Sequence, residues 1–322
     1  MHSGCTQHWG DNMAEYNSGL ATLHQPIPTR KRSFKVAVLD NLGSFSFTVP
    51  YLVAFILFAA IPVIFGLYVS LHDWNPVTGA GQFTGLSNYL QLFNSSTLAG
   101  HDFLIGLRNV VLFTVISVPF LVGIPTVVSY LIYCGPWKGL FRAIFFFPSV
   151  LSVTAITTVW SWILATQGGL LSSLFGIQLP WLTQQPFAWI SIDATTEWWS
   201  MGFNIVILYA GLTQIPTSLF EASRIDGASP LRIYFSIVIP QLRNIISVVT
   251  VLGTIASFNL FAQSYLMTSG GPGSSTEPLT MFIYNQAFNE MKMGSATAMA
   301  FLMGIIIMII SFIQYRVARD RG

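Results

Sequence analysis

The chain has 322 residues, of which 53% are hydrophobic and only 8% charged, where a soluble domain carries roughly a quarter charged. So few charges leave too little polar surface for a soluble globule, and a net charge of +2 offers no electrostatic footprint for nucleic acid. The cysteines, Cys5 and Cys134, fall in segments assigned to the cytoplasm, where thiols stay reduced, and neither has metal-site spacing.

Residues 1–44 read as a disordered cytoplasmic tail. They are polar, contain Pro26 and Pro28, and carry the basic cluster Arg30, Lys31, Arg32 and Lys35. No apolar run precedes Phe45, so a cleavable signal peptide is not expected, and Met13 is an alternative start. Six apolar segments follow, at 47–71, 109–133, 143–166, 198–215, 244–268 and 296–315, each near the ~20 residues that a helix needs to cross the hydrocarbon core. Helices are the expected solution because backbone groups in lipid must pair within their own segment. The predicted fold class is therefore all-α integral membrane. Six helices fill residues 45–317, a cytoplasmic loop spans 216–243, and a short cytoplasmic C-terminus covers 318–322. Pro50, Pro62, Pro119, Pro125 and Pro148 lie inside spans and predict kinks.

The basic residues fix the orientation. Twelve of the 14, namely Arg30, Lys31, Arg32, Lys35, Lys138, Arg142, Arg224, Arg232, Arg243, Arg316, Arg319 and Arg321, share one side with both termini. Only Arg108 and Lys292 fall on the other side, so both termini are placed in the cytoplasm. No ionisable residue falls in the centre of a predicted span, which disfavours a proton-coupled carrier. A glycine-rich phosphate loop ending in Gly-Lys-Ser or Gly-Lys-Thr is absent, as are His/Cys clusters and serine-nucleophile elbows. The chain is therefore not expected to be an enzyme or to bind a cofactor itself. Energy for active transport must come from another polypeptide.

The loop after the fourth span has its own chemistry. Ser218 followed by Glu221 predicts a capping box opening a helix, and Gly227 supplies the backbone freedom to end it. Ser229 then caps a second helix with Pro230 at its first position, and Pro240 predicts a stop before the membrane is re-entered. Leu219, Ala222 and Ser223 give the first helix a small and apolar face suited to a partner's groove.

This stretch resembles the cytoplasmic motif of bacterial ATP-binding-cassette importer permeases: Glu-Ala-Ala, three residues, Gly, nine residues, Ile, one residue, Leu-Pro. Glu221, Ala222, Gly227, Ile237 and Pro240 match in register, while Ser223 and Ile239 replace alanine and leucine. Ser257-Phe258-Asn259, then Thr268 to Gly273, Thr276, Leu279, Ile283-Tyr284, Ala287-Phe288, Gly294 and Ala296 are similar to the larger, maltose-type permease of carbohydrate importers. Together these matches cover about residues 45–317. The resemblance implies the type I importer permease fold and four kinds of partner besides membrane lipid. These are a homologous second permease, two ATPase subunits that hold ATP and Mg, an external solute-binding protein, and a sugar, which is expected to be neutral because the chain has no Lys or Arg at mid-membrane depth. Glu221, Ala222, Ser223, Arg224, Asp226 and Gly227 would then form the coupling helix against an ATPase. Alignment places sugar contacts at Ser149, Val153, Thr196, Trp199, Ser200, Phe203, Gly253, Ala256, Ser257 and Leu260, with Asn259 and Gln263 as further hydroxyl partners. Replacement of the family's asparagines, notably at Leu260, argues against maltose itself. An ion-coupled secondary carrier is the alternative reading.

Overall fold

The computed structural model describes residues 48–320; the tail 1–44 with Cys5 and its basic cluster, and Arg321, lie outside the described residues. The chain divides into one unit ending at Pro62 and a second running from Val63. An apolar helix, Thr48–Ser70 (α1), carries the boundary. In the first unit, Ile56–Ala60 forms a π turn in which the Ile61 N–H reaches the Ile56 carbonyl, immediately before Pro62. A proline ring crowds the carbonyl four residues earlier, and a widened turn relieves that crowding.

The second unit continues with a hairpin, β1 (His72–Asn75) and β2 (Gly79–Phe83), paired antiparallel with His72 opposite Phe83. This hairpin departs from the all-helical expectation. The Asn75 side chain folds the turn by accepting the Val77 N–H at 2.9 Å. Next come α2 (Ser87–Leu92), α3 (Leu98–Cys134), α4 (Lys138–Val150), α5 (Val153–Ile163) and α6 (Leu170–Phe175). They are followed by α7 (Phe187–Leu212) and α8 (Thr217–Ile225). The chain ends with α9 (Pro230–Phe258), α10 (Ala262–Met267), α11 (Leu279–Tyr284) and α12 (Met293–Asp320).

Among the described residues, α1, α3, α9 and α12 are each long and apolar enough to cross a bilayer. The pairs α4 with α5, bent by 97°, and α7 with α8, bent by 77°, bring the number to six if each counts as one span. The predicted segment 143–166 is thus two helices rather than one. Pro148 and the extended backbone at Leu151 and Ser152 end the first, and the Ser152 hydroxyl caps the second by accepting the Ala155 N–H at 3.3 Å.

Two helices start well before the apolar windows that predicted them. Helix α3 begins at Leu98 instead of 109, because the Thr97 hydroxyl caps it by accepting the Gly100 N–H at 3.1 Å. Helix α7 begins at Phe187 instead of 198, and its first turns hold Asp193 and Glu197. Their polarity hid this part of the helix from a reading based on hydropathy.

The main packing joins α3 to α7, α4 to α7 and α9 to both α3 and α12. Leu92, Phe103, Val110, Phe258, Leu279 and Met299 form one buried cluster among α2, α3, α9, α11 and α12. A polar brace crosses the α3–α7 seam. Pro125 has no N–H, which leaves the Leu121 carbonyl without its helical donor, and the buried Asn204 amide donates to that oxygen at 2.9 Å.

Candidate functional site

Two helix breaks border one cavity of about 550 Å³. One is the α4–α5 break, where the Trp199 indole N–H donates to the freed Leu151 carbonyl at 3.2 Å. The other separates α9 from α10, where Phe261 takes φ −144°, ψ −64°. The Leu260 carbonyl freed there accepts the Thr280 hydroxyl. Irregular backbone at membrane depth is tolerated where it lines a cavity or is buried in protein, and both breaks meet that condition.

Of the twelve residues predicted to touch a ligand, eleven line this cavity: Val153, Thr196, Trp199, Ser200, Phe203, Gly253, Ala256, Ser257, Asn259, Leu260 and Gln263. Ser149 does not. Its hydroxyl folds back onto the Phe146 carbonyl at 2.6 Å, one turn before the break. The sequence reading missed Phe113, Leu121, Asn204, Leu252, Phe261 and Ala262, which also line the cavity. Pro125 was the signal for two of them, since its missing N–H calls for a donor near Leu121.

The polar groups of the cavity are few. Thr196 and Ser200 donate to the carbonyls of Ile192 and Thr196 at 2.8 and 2.7 Å, which leaves their oxygens able to accept. The Asn259 amide donates to Ile255 at 2.7 Å, and Gln263 is buried. The Ser257 hydroxyl is buried with no hydrogen-bond partner among the described residues. With Trp199, Phe203, Phe113 and Phe261 around them, these groups form a sparse polar set on an apolar wall, as small-molecule pockets do.

Beside this cavity, a groove of about 520 Å³ along α3 and α7 holds Asp193 and Glu197. Glu197, one residue outside the predicted fourth span, lies near the middle of the longer helix α7. The Ser117 hydroxyl donates to Asp193. Glu197 is 6% exposed, and neither of its carboxyl oxygens has a partner among the described residues. Burying an unsatisfied polar group costs on the order of 1–3 kcal/mol. Glu197→Met is therefore expected to raise the thermal stability of the purified chain, and a lower melting temperature would show that the carboxyl is held by a favourable contact.

The cytoplasmic loop forms a second site. Helix α8 starts at Thr217 after Pro216, and no side chain caps it, so the predicted Ser218–Glu221 capping box does not form. Gly227 ends the helix with φ +71°, as expected. Ser229 caps the next turn, accepting the Arg232 N–H at 3.4 Å. Pro240 does not stop the helix. A π turn over Tyr234–Val238, closed by the Ile239 N–H on the Tyr234 carbonyl, absorbs the proline and makes α9 continuous from Pro230.

Phe220, also missed by the sequence reading, anchors α8. It is buried among Tyr130, Leu212, Ile215, Ile233 and Tyr234. This anchor leaves Glu221, Ala222, Arg224, Asp226 and Gly227 exposed, with Ser223 half-buried against the Phe220 carbonyl. Ile225 and Leu231 are 86% and 71% exposed at the tip. Exposed apolar side chains beside charges are the composition of a protein-contact surface.

Residues 29–321 match the profile of the binding-protein-dependent transport system inner membrane component family. The chain belongs to that family. It is 32% identical over 288 residues to the probable ABC transporter permease YurN of Bacillus subtilis, covering 86% of this chain and 96% of the relative. It is 28% identical over 294 residues to the lactose transport system permease LacF of Rhizobium radiobacter, covering 87% and 95%. Its fold matches a chain of the bacterial alginate ABC transporter, solved with an alginate pentasaccharide-bound periplasmic protein, at a TM-score of 0.77 and 18% identity over 90% and 98% of the two chains. The fold is thus that of a type I importer permease, and the protein is a multi-pass component of the inner membrane. The ion-coupled carrier alternative finds no support in this family.

The loop between α10 and α11 of this permease contains one ionisable group with a clear pH response. Glu277 is buried, and burial pushes its carboxyl above the ordinary carboxylate value. A hydrogen bond from the Asn285 amide at 2.8 Å opposes that shift, and the nearby Asp102 charge adds to it. The folded protein therefore holds this proton more tightly than the unfolded chain. Its contribution to stability is present at low pH and falls as pH rises from the ordinary value through the raised one. Melting curves against pH should show this decline, and Glu277→Gln should flatten it.

Proposed function

We propose that this permease moves a neutral sugar or glycoside across the bacterial cytoplasmic membrane by alternating access. The substrate class is a di- or oligosaccharide or a sugar-polyol compatible solute. Energy comes from ATP hydrolysed with Mg on two partner ATPases, to which Glu221 and the exposed tip of α8 transmit motion. A homologous second permease completes the pathway, and an external solute-binding protein delivers the substrate. The lactose system named for one relative supports this substrate class.

The cavity at the two helix breaks is the observation that carries the reading. Its volume of about 550 Å³ falls within the ~300–1,000 Å³ of small-molecule sites. Aromatic faces at Trp199 and Phe203 suit the apolar face of a sugar ring, and Ser200, Ser257, Asn259 and Gln263 suit its hydroxyls. Among the described residues, no Lys or Arg lines the cavity, while Asp193 and Glu197 lie in the adjoining groove. An anion held there would face a desolvation cost with no compensating cation from this chain.

Uptake by the reconstituted importer should therefore favour a neutral disaccharide or glycosyl-polyol over glycerol phosphate. Preferential uptake of the phosphate, with no basic residue in the second permease's part of the pocket, would overturn the neutral-substrate reading.

A further inference from the structure

At the cytoplasmic end of the molecule, a groove of about 530 Å³ runs between α9 and α12. Its polar end is lined by Arg243 and Arg319, with Tyr315, Asn244 and Ser247. Its other end is walled by Val248, Val251 and Leu252 of α9. We propose that this groove is a binding site for an anionic phospholipid of the cytoplasmic leaflet, its phosphate between Arg243 and Arg319 and an acyl chain along Val248, Val251 and Leu252.

Three observations carry the assignment. The first is charge. Two arginines line one groove, and a guanidinium is a planar fork of N–H donors that matches phosphate oxygens. A guanidinium carries five donors, so an added anion does not require either arginine to lack other partners.

The second is length and polarity. Arg243 and Leu252 lie about 14 Å apart along a helix, close to half of the ~30 Å hydrocarbon core, which is the depth of one leaflet. Over that distance the lining changes from charged to hydroxylic to aliphatic, the order of a phospholipid from headgroup to tail. A free phosphate ion shares the headgroup chemistry but has no use for the aliphatic half.

The third is direction. At 100° per residue, Gly253, Ala256 and Ser257 lie on the cavity side of α9. Ser247 and Val251 project from the opposite side, Arg243 lies about 90° round from the cavity face, and Leu252, at the other edge, borders both. The groove therefore faces away from the cavity. Met308, Ile309, Phe312 and Ile313 of α12 are exposed along the same helix, as on a surface bathed in lipid. Basic pockets between helices on the cytoplasmic side are suited to anionic headgroups.

The test uses the full-length chain purified in detergent and offered equal amounts of phosphatidylglycerol and phosphatidylcholine, with retained lipid counted by native mass spectrometry. Wild type is expected to retain phosphatidylglycerol about tenfold over phosphatidylcholine, from two arginines near the headgroup. The pair Arg243→Gln with Arg319→Gln should bring the ratio close to one, and each single change should lower it by about threefold if the pair does not fold. Arg316→Gln, on the same helix but outside the groove, should leave the ratio unchanged. Equal retention by wild type and the groove variants would overturn the proposal. Displacement of the lipid by millimolar inorganic phosphate would overturn it in favour of a free anion. Loss of phosphatidylglycerol on assembly of the complete importer would overturn it in favour of a protein interface.

Discussion

An importer assembled with a Glu221→Lys permease is expected to take up substrate at least about tenfold more slowly than wild type, although the chain still inserts and folds. Glu221 is exposed on α8 and borders a small cavity with Arg224, Lys138 and Tyr133. The ion pairs His101–Asp102 and Lys292–Glu290 lie elsewhere, so reversing this charge breaks no salt bridge seen among the described residues. Phe220, one residue earlier, supplies the anchor to the cytoplasmic core and is untouched. The damage must therefore fall on the partner. Like charges brought together across an interface cost several kcal/mol, enough for a large loss of coupling. Uptake, substrate-stimulated ATP hydrolysis and copurification of the ATPase are the readouts. Normal uptake by a correctly assembled Glu221→Lys complex would contradict the coupling role. Gly227→Phe should have a smaller effect, because a Cβ there meets no atom within 4 Å and only the φ of +71° is strained.

Gly202→Leu is expected to prevent the permease from being recovered as a folded, monodisperse protein. Gly202 is buried where α7 crosses α4. A Cβ at this position would lie 2.2 Å from the Phe145 carbonyl oxygen and 2.5 Å from the Phe146 Cα. Both atoms belong to backbone, so no rotamer change relieves the overlap and the two helices must separate. Small residues at such crossings let helices approach closely, and van der Waals packing is much of what holds membrane helices together. Separation would also shift Trp199, Ser200 and Phe203, the neighbours that line the cavity. Gly123→Leu is the matched control, since a Cβ on that glycine of α3 meets nothing within 4 Å. Comparable yield and melting temperature for both variants would show that the α4–α7 crossing does not depend on Gly202.

The apolar runs made most of the spanning helices legible, because a lipid-facing helix must be apolar along its length. The starts of α3 and α7 were not legible in the same way. Thr97 fixes one by a capping bond, and Asp193 and Glu197 make the other too polar for a hydropathy window. Pro148 predicted a kink in the third span, but not that the chain breaks into two helices at 97° around Leu151 and Ser152. Pro240 suggested a stop that the π turn before it removes. Eleven of the residues that line the cavity were named from the sequence, but through the family resemblance rather than from hydropathy or spacing. Asn204 and Phe220 illustrate what alignment of the site residues left out. One satisfies a carbonyl orphaned by a proline on another helix, and the other anchors the loop that carries α8. Both roles depend on contacts distant in sequence.

The most direct test of the account is uptake of a labelled neutral disaccharide, one bound by the importer's own solute-binding protein, into proteoliposomes containing the complete importer. Accumulation should require that binding protein outside and Mg-ATP inside, and should persist after proton and sodium gradients are collapsed. Accumulation driven by an ion gradient in the absence of ATP would contradict it.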